Sequence, residues 1–531
     1  MKTKLECEGY IQPLGSTKSG QLGRPNARQI LPKALPPSVA NPSLGLSKPL
    51  LDTEVENRYL SHFQNKTISG SGNEGILDWS IWNRLVLQYC HQHTFVRDSV
   101  VAIGALVKSF ETADPARVVS AADKDDPLAK MHFEFALLKY GRAVQRMRSA
   151  LESSSLQDRL LGCLLVFCFE ALLNNRHAAI AHIVSGYGLL QDSLVENKPG
   201  DEACYGWLCT MKSGVDEELV DAFEHLDMQI STVYDARPPK VHESILEFST
   251  TRWMPSYFRD LTEARKYLTI VQRRCHHFMA ISWVTTKSMT LYRELVNPPF
   301  NVAVVTGCNI FSTPYEVPDE IRIQQVVYAE EIARWSKAFH HLFEKICFPG
   351  AQESRDYVVG TLLRIHAITT RIFVASTTIT EEVLYDAFLP EFRLLLTLAK
   401  RIVATKKEPN KYSTGMRGFR IDLGIVAPLF LLLLRCRNGI MRREAISILR
   451  DWHPEAIWHH QLIAEIGNFI METEEAGLDG GYIPESARAV ITATCEGAGL
   501  NGAKHVLLQC CQRRGGPNGE LKWHEKYITY T

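Results

Sequence analysis

The chain has 531 residues, 45% hydrophobic and 22% charged, with 59 Lys and Arg balanced by 59 Asp and Glu. That is the balance of an ordinary soluble globular chain with material for a large core, and its length corresponds to about three domains. Its 13 cysteines are scattered rather than framed, which excludes a disulfide scaffold and points to a reducing compartment, cytosol or nucleus.

The charge is unevenly placed. Residues 1–50 hold seven Lys or Arg against two Asp or Glu, and the remainder holds 52 against 57. A basic arm ahead of a slightly acidic body is either a solvated tail or an end that faces nucleic acid. The amino terminus lacks the apolar stretch of a signal peptide. Residues 11–50 contain seven prolines and five serines, and no acidic or aromatic residue. Proline at this density forms neither helix nor central strand, so the segment reads as a semi-extended, mobile tether. Gly70-Ser71-Gly72-Asn73-Glu74-Gly75 reads as a flexible loop before Trp79 and Trp82.

From about Leu51, apolar residues recur at helical spacing, with Pro and Gly mostly between the segments. Good examples of predicted helices are 128–152, 156–173, 177–191, 216–234, 260–284, 319–346, 354–375, 380–404, 422–436, 439–451, 454–475 and 484–497. No Asn-Gly hairpin between alternating strands appears, and no strand–helix–strand rhythm. The expected fold is therefore all-α, a multi-helix array of antiparallel helix pairs. Asp158 to Leu173 is apolar nearly all round and should be a buried central helix. Asn174-Asn175 supplies the turn after it, because Asn tolerates left-handed backbone angles. Ile180, Ile183, Val184 and Tyr187 then mark one face of an amphipathic helix. Gly186 and Gly188 weaken that helix by about 1 kcal/mol each against Ala, which suggests close approach to the preceding helix. Arg237-Pro238-Pro239 reads as a helix end, and Asp260 with Glu263 as a helix start. Segments 198–215 and 296–318 look like long loops. The longest apolar run, Leu423 to Leu434, is twelve residues with Pro428 inside it, well short of the ~20 that span a bilayer.

Motifs of chemistry are sparse. Cys204 with Cys209, and Cys163 with Cys168, have zinc-pair spacing without a second pair, and the latter two lie in an apolar helix where core filling is expected. Cys510-Cys511 beside Arg513-Arg514 reads as two ordinary reduced thiols, with a reactive site as the alternative. The pairs His91/His93, His276/His277, His340/His341 and His459/His460 lack HExxH or a carboxylate at ligand spacing. His182 reads as a hydrogen-bonded packing residue, with a switch as the minor alternative. No GxxxxGK[ST] or GxSxG sequence is present, and the GxGxxG spacing at 70–75 and 497–502 has no strand-to-helix context around it, so no enzyme is expected. Lys400-Arg401, Lys406-Lys407 and Lys411 form a basic cluster, either a solvated helix end or a nuclear-import patch.

One resemblance remains. Six residues, Met1 to Glu6, precede Cys7, which is followed by Glu8-Gly9-Tyr10 and the basic tether. This order resembles the end of the DNA-binding module of fungal binuclear zinc-cluster transcription factors, whose six cysteines hold two zinc ions. The body resembles the helical regulatory domain of the same family. The matching pieces are Val101-Ala102-Ile103-Gly104-Ala105, Phe167-Cys168-Phe169-Glu170, and Ala178-Ala179-x-Ala181-His182 with Gly186 and Leu189-Leu190. Ala222-Phe223-x-x-Leu226-Asp227-x-Gln229, Arg237-Pro238-Pro239 and Phe258-x-x-Leu261-x-Glu263-Ala264-Arg265-x-x-Leu268 come next in order. Near the end come Arg442-Arg443-x-Ala445-Ile446-x-x-Leu449, Glu455-x-x-Trp458, Glu474-Glu475 and Ile483-Pro484.

The resemblance implies three segments: a remnant of the module (1–10), a linker (11–50) and the regulatory domain (51–531). It also implies a nuclear transcriptional regulator of a metabolic or secondary-metabolite pathway. Cys7, the remnant ligand, cannot make a structural zinc site alone, so the chain as given should carry no cofactor, and zinc belongs to a form extended upstream. Lys2 and Lys4 can touch phosphate but supply little affinity. Expected partners are the transcription machinery, related regulators as homo- or heterodimers, and DNA only in the extended form; no membrane is expected. The intact spacer favours Met1 as an internal methionine of a longer protein. The alternative is a DNA-free, corepressor-like partner of full-length factors.

Overall fold

Amphipathic segments joined by short turns bury their apolar faces against one another, and the computed structural model shows that outcome. It describes residues 53–68, 81–112, 127–150, 154–196, 214–231, 237–247, 249–288, 314–348, 350, 354–405, 423–455, 457–476, 478, 481–498, 504–514 and 519–530. Among these residues the body is a multi-helix array of fifteen α-helices, and residues 51–531 form one unit rather than several.

The helices are α1 (Glu54–His62), α2 (Leu87–Gln92), α3 (Thr94–Thr112), α4 (Pro127–Ala150), α5 (Leu156–Leu172), α6 (Arg176–Glu196), α7 (Glu217–Ser231) and α8 (Pro239–Glu247). They continue as α9 (Leu261–Thr285), α10 (Asp319–Ile346), α11 (Arg355–Ser376), α12 (Leu389–Ala404), α13 (Val426–Arg435), α14 (Gly439–Arg450) and α15 (His460–Glu475). Neighbours in sequence pack as pairs: α3 on α4, α5 on α6, α8 on α9, α10 on α11 and α14 on α15. Most helix bounds fall within a few residues of those expected. The 380–404 segment begins as a 3-10 helix, Glu382–Phe388. Residues 314–316 form a short strand, β2 (Pro314–Glu316), against β1 (Lys287–Ser288).

α5 is buried along most of its length, as its apolar surface requires, and a Ser155–Asp158 capping box starts it. Asn174 ends the pair's first helix with φ of 55°. On α6 the buried stripe is Ile180, Ile183, Tyr187 and Leu190, whereas Val184 is 42% exposed, contrary to expectation. Gly186 does permit close approach: a Cβ there would lie 2.4 Å from Phe223 of α7 and 3.2 Å from Cys163 of α5. Gly188 has nothing within 4 Å and plays no such part. At Gly104 a Cβ would sit 2.2 Å from the Tyr59 carbonyl oxygen, so only glycine lets α3 touch the backbone of α1.

Pro239 opens α8, where a missing N–H costs nothing, while residues 232–236, which would show where α7 ends ahead of Arg237-Pro238-Pro239, lie outside the described residues. One expectation fails. Residues 484–497 are not a helix. Three-stranded antiparallel pairing takes over there, with β3 (Ala489–Ala498), β4 (Lys504–Arg514) and β5 (Glu520–Tyr530) in that order. A short apolar run rich in Val, Ile and Thr reads as either state from periodicity alone, and here the two later strands decide. The sheet lies against α15.

α11 is long and apolar enough to cross a membrane by length and composition, a property that unbroken apolar runs do not reveal. In the fold it packs on α9, α10, α12 and α13, with Leu363, Ile365 and Ile372 fully buried. Trp335 of α10 is equally buried and donates its indole N–H to the Ala264 carbonyl at 2.9 Å.

Candidate functional site

Helices packed this tightly can bury polar side chains only where partners meet them. Two such polar centres stand out. The first lies among α6, α7, α8 and α9. Asp227 on α7 accepts from Arg237 Nη1 at 2.7 Å, joining α7 to the chain two residues ahead of α8. Asp227 also faces His277 Nε2 of α9 at 3.7 Å, and His277 Nδ1 lies 2.9 Å from Nδ1 of His242 on α8. Arg273, one turn earlier on α9, donates to Glu224 of α7 at 2.5 Å and to the Tyr187 hydroxyl of α6.

The electrostatics follow from burial. His277 is 1% exposed, and burial, aided by Arg237 and Arg273, holds its imidazole well below the usual histidine range. It is therefore neutral at physiological pH. In the His242–His277 contact one ring donates from Nδ1 and the other accepts, with Nε2 of His277 turned toward the Asp227 carboxylate. Burial raises the Tyr187 phenol, keeping it protonated beneath the guanidinium of Arg273. The Glu224 and Asp227 carboxylates balance the two arginines, so the centre holds opposite charges in place without a net excess. Beside Arg273, Gln272 donates to Thr370 of α11 at 3.0 Å, and the backbone of Leu423 is held between His225 and His366 at 3.4 and 3.3 Å.

The second centre joins the carboxy-terminal helices to the sheet. Glu474 of α15 is fully buried and takes Arg442 of α14 at 2.6 Å and Arg437 at 2.9 Å. It also accepts the N–H of Ala489 at 2.8 Å, where β3 begins. Glu382 binds Arg435 and Arg437, and Arg435 lies over the Tyr385 ring at 4.6 Å. Arg488 forks onto Asp386 at 2.9 and 2.6 Å. Alongside, Glu455 is a buried carboxylate at the amino terminus of α13. It accepts the N–H groups of Gly424, Ile425 and Val426 at 2.9 to 3.0 Å, and Trp452 Nε1 at 2.7 Å.

Of the residues singled out from sequence, Cys7, Lys2, Lys4, Cys204 and Cys209 lie outside the described residues, as do Lys406, Lys407 and Lys411. Lys400 pairs with Glu444 at 2.7 Å. Burial raises the thiol pKa of Cys163 to about 11 and Cys511 to about 12, and pushes up Cys168, Cys275 and Cys510 as well. These cysteines are neutral packing groups, not nucleophiles. His93 stacks on Tyr89 and faces Asp158 at 3.3 Å, while His459 and His460 stack on each other. His182, on the half-buried side of α6, is lowered by burial, with Glu170 opposing. Among the described residues no group of three or more His, Cys, Asp or Glu is placed to hold a metal ion.

Sequence reasoning did not find the His242–His277 contact, the Arg273–Tyr187 contact or the Glu382–Arg435–Arg437 cluster. Each joins residues from different helices, and nothing in local spacing marks them. By contrast, Asp227 with Arg237, Gly186 with Phe223, Arg442 with Glu474, and Glu455 with Trp458 were all named as pieces of the family pattern. Each pair is in contact. Comparison with family models, curated proteins and solved structures yields no match, so what these centres do is argued from their own chemistry.

Proposed function

We propose that this chain is a transcriptional regulator of the fungal zinc-cluster class, comprising the linker and the helical regulatory body, and that it acts in the nucleus. The observation that supports the reading is the pairing of the resembling fragments. Residues far apart in sequence, such as Arg442 and Glu474, are the ones that meet as buried ties. A pattern of helical periodicity alone would match apolar faces and leave such polar pairs to chance. The polar centres hold the helical array in one arrangement, as a domain that transmits state to partners requires. In this reading zinc and DNA binding require a form extended upstream of Met1.

The test is to tether the full chain to an unrelated DNA-binding domain in a fungal host and measure a reporter. Activation or repression severalfold above the domain alone is expected. No change with either a silent or an active promoter would overturn the proposal. Genomic sequence upstream of Met1 should encode an in-frame or spliced cysteine-rich basic stretch, and the chain as given should show no specific gel-shift.

A DNA-free partner of full-length factors is the second reading. It is favoured by Ile323, Val326 and Val327 on α10, spaced three and four apart and 68%, 61% and 50% exposed. Upstream stop codons without a cysteine pattern would select it.

A further inference from the structure

We infer that β5 is a homodimerisation strand, which pairs antiparallel with β5 of a second copy about a two-fold axis at Trp523. The inference stands apart from the functional reading above.

β5 is the terminal strand of the three-stranded sheet, bonded to β4 on one side, and no further described strand pairs with the other. Such an edge carries a row of backbone donors and acceptors ready for another strand. Its side chains are not those of a sticky edge. Glu520, Lys522 and Glu525 are exposed, and Lys526 reaches Glu472 of α15 at 3.0 Å yet stays 35% exposed. These charges discourage random partners, so a partner must match them.

Geometry narrows the match. In an antiparallel pair, residues directly opposite either both point their backbone groups at the partner or both point away. On one edge, outward-pointing residues all share the same parity. Two identical strands related by a two-fold axis must therefore pair residues of equal parity, which puts the axis on a residue and not between two. Within Glu520–Tyr530, the registers that overlap at least seven residues are centred on 523, 524, 525, 526 or 527.

Charge separates these five. Centring on 525 or 526 sets Glu525 or Lys526 against itself, and centring on 524 sets Lys522 against Lys526. Centring on 527 creates no charge pair of either kind. Centring on Trp523 places Glu520 opposite Lys526 of the second copy twice over, with the two Trp523 rings side by side on one face. That register alone gains opposite charges without opposing full like charges. Lys522 then faces His524, whose Nε2 already contacts Gln512 Oε1 at 3.0 Å. The interface is isologous and closes, so it gives a dimer and not a filament.

The test uses the full chain in sedimentation velocity across a concentration series. A reversible dimer is expected. Glu520→Lys, which leaves the Lys526–Glu472 bridge intact, should raise the dissociation constant roughly tenfold, and adding Lys526→Glu should restore part of the loss. Amides of residues 520–526 should exchange more slowly as concentration rises. A chain that stays monomeric, a dimer indifferent to Glu520→Lys, or a concentration effect confined to other segments would overturn the inference. An unchanged melting temperature for Glu520→Lys separates weakened pairing from misfolding.

Discussion

The Glu455 carboxylate offers the sharpest test of how the body is held together. Four donors converge on its two oxygens: three backbone N–H groups at the start of α13 and the Trp452 indole. In Glu455→Gln the side chain keeps its shape but has a single acceptor oxygen, and its NH2 group faces donors. Two of the four donors then lose their acceptor in a buried place. At about 1–3 kcal/mol for each orphaned donor, the loss should be about 4 kcal/mol. Hydrogen exchange at Gly424, Ile425 and Val426 reads this directly, as roughly a thousandfold faster exchange. Gly424→Ala should act through the same contact, since its Cβ would lie 2.2 Å from Glu455 Oε1 and expel the carboxylate. Because both changes break one cap, the double variant should fall short of the sum of the singles by at least about 1 kcal/mol. Additive losses, or a Glu455→Gln effect below about 1 kcal/mol, would refute the argument.

Packing and buried charge elsewhere give further tests. Gly186→Ala should destabilise by about 1–3 kcal/mol because Phe223 blocks the methyl, whereas Gly188→Ala on the same helix should stabilise by about 0.5–1 kcal/mol; thermal denaturation of both checks the sign. Glu474→Gln should cost about 3–5 kcal/mol, since Arg437 and Arg442 lose their shared anion, and Arg442→Met should cost less because Arg437 still neutralises Glu474; urea midpoints rank them. Asp221 is raised to about 6 by burial and then by Glu224. An unfolded aspartate titrates near ~3.9, so this group's stabilising contribution is complete below that pH and is lost as pH rises through about 6. Asp221→Asn should therefore gain about 1–2 kcal/mol at pH above neutral and little in acid. His460 behaves oppositely: burial lowers it to about 4, so its contribution is present above ~6.5 and is lost as pH falls toward the folded value. His460→Gln should flatten acid denaturation over that window.

Much of the body was legible because helices announce themselves locally. α10 runs from Asp319 to Ile346, as its periodicity indicates. The Asp260 cap and the Asn174 turn were legible for the same reason, since a cap or a left-handed residue depends on a few neighbours. Val184 escaped, because a helical face read from four residues cannot say how wide the buried stripe is. Pro239 opens α8, because proline begins a helix as readily as it ends one and the residues after it make the choice.

Sequence alone therefore determined the helical class, most helix bounds and which cysteines fill the core, since those arise from short-range periodicity and side-chain chemistry. Tertiary structure alone decided that His277 is a neutral member of a buried four-helix centre, that three arginines share Glu382 and Glu474, and that β3, β4 and β5 pair as one sheet. The physical reason is range. A polar group is buried, and a strand is paired, only by partners that the chain brings from far away, and no local pattern encodes their arrival.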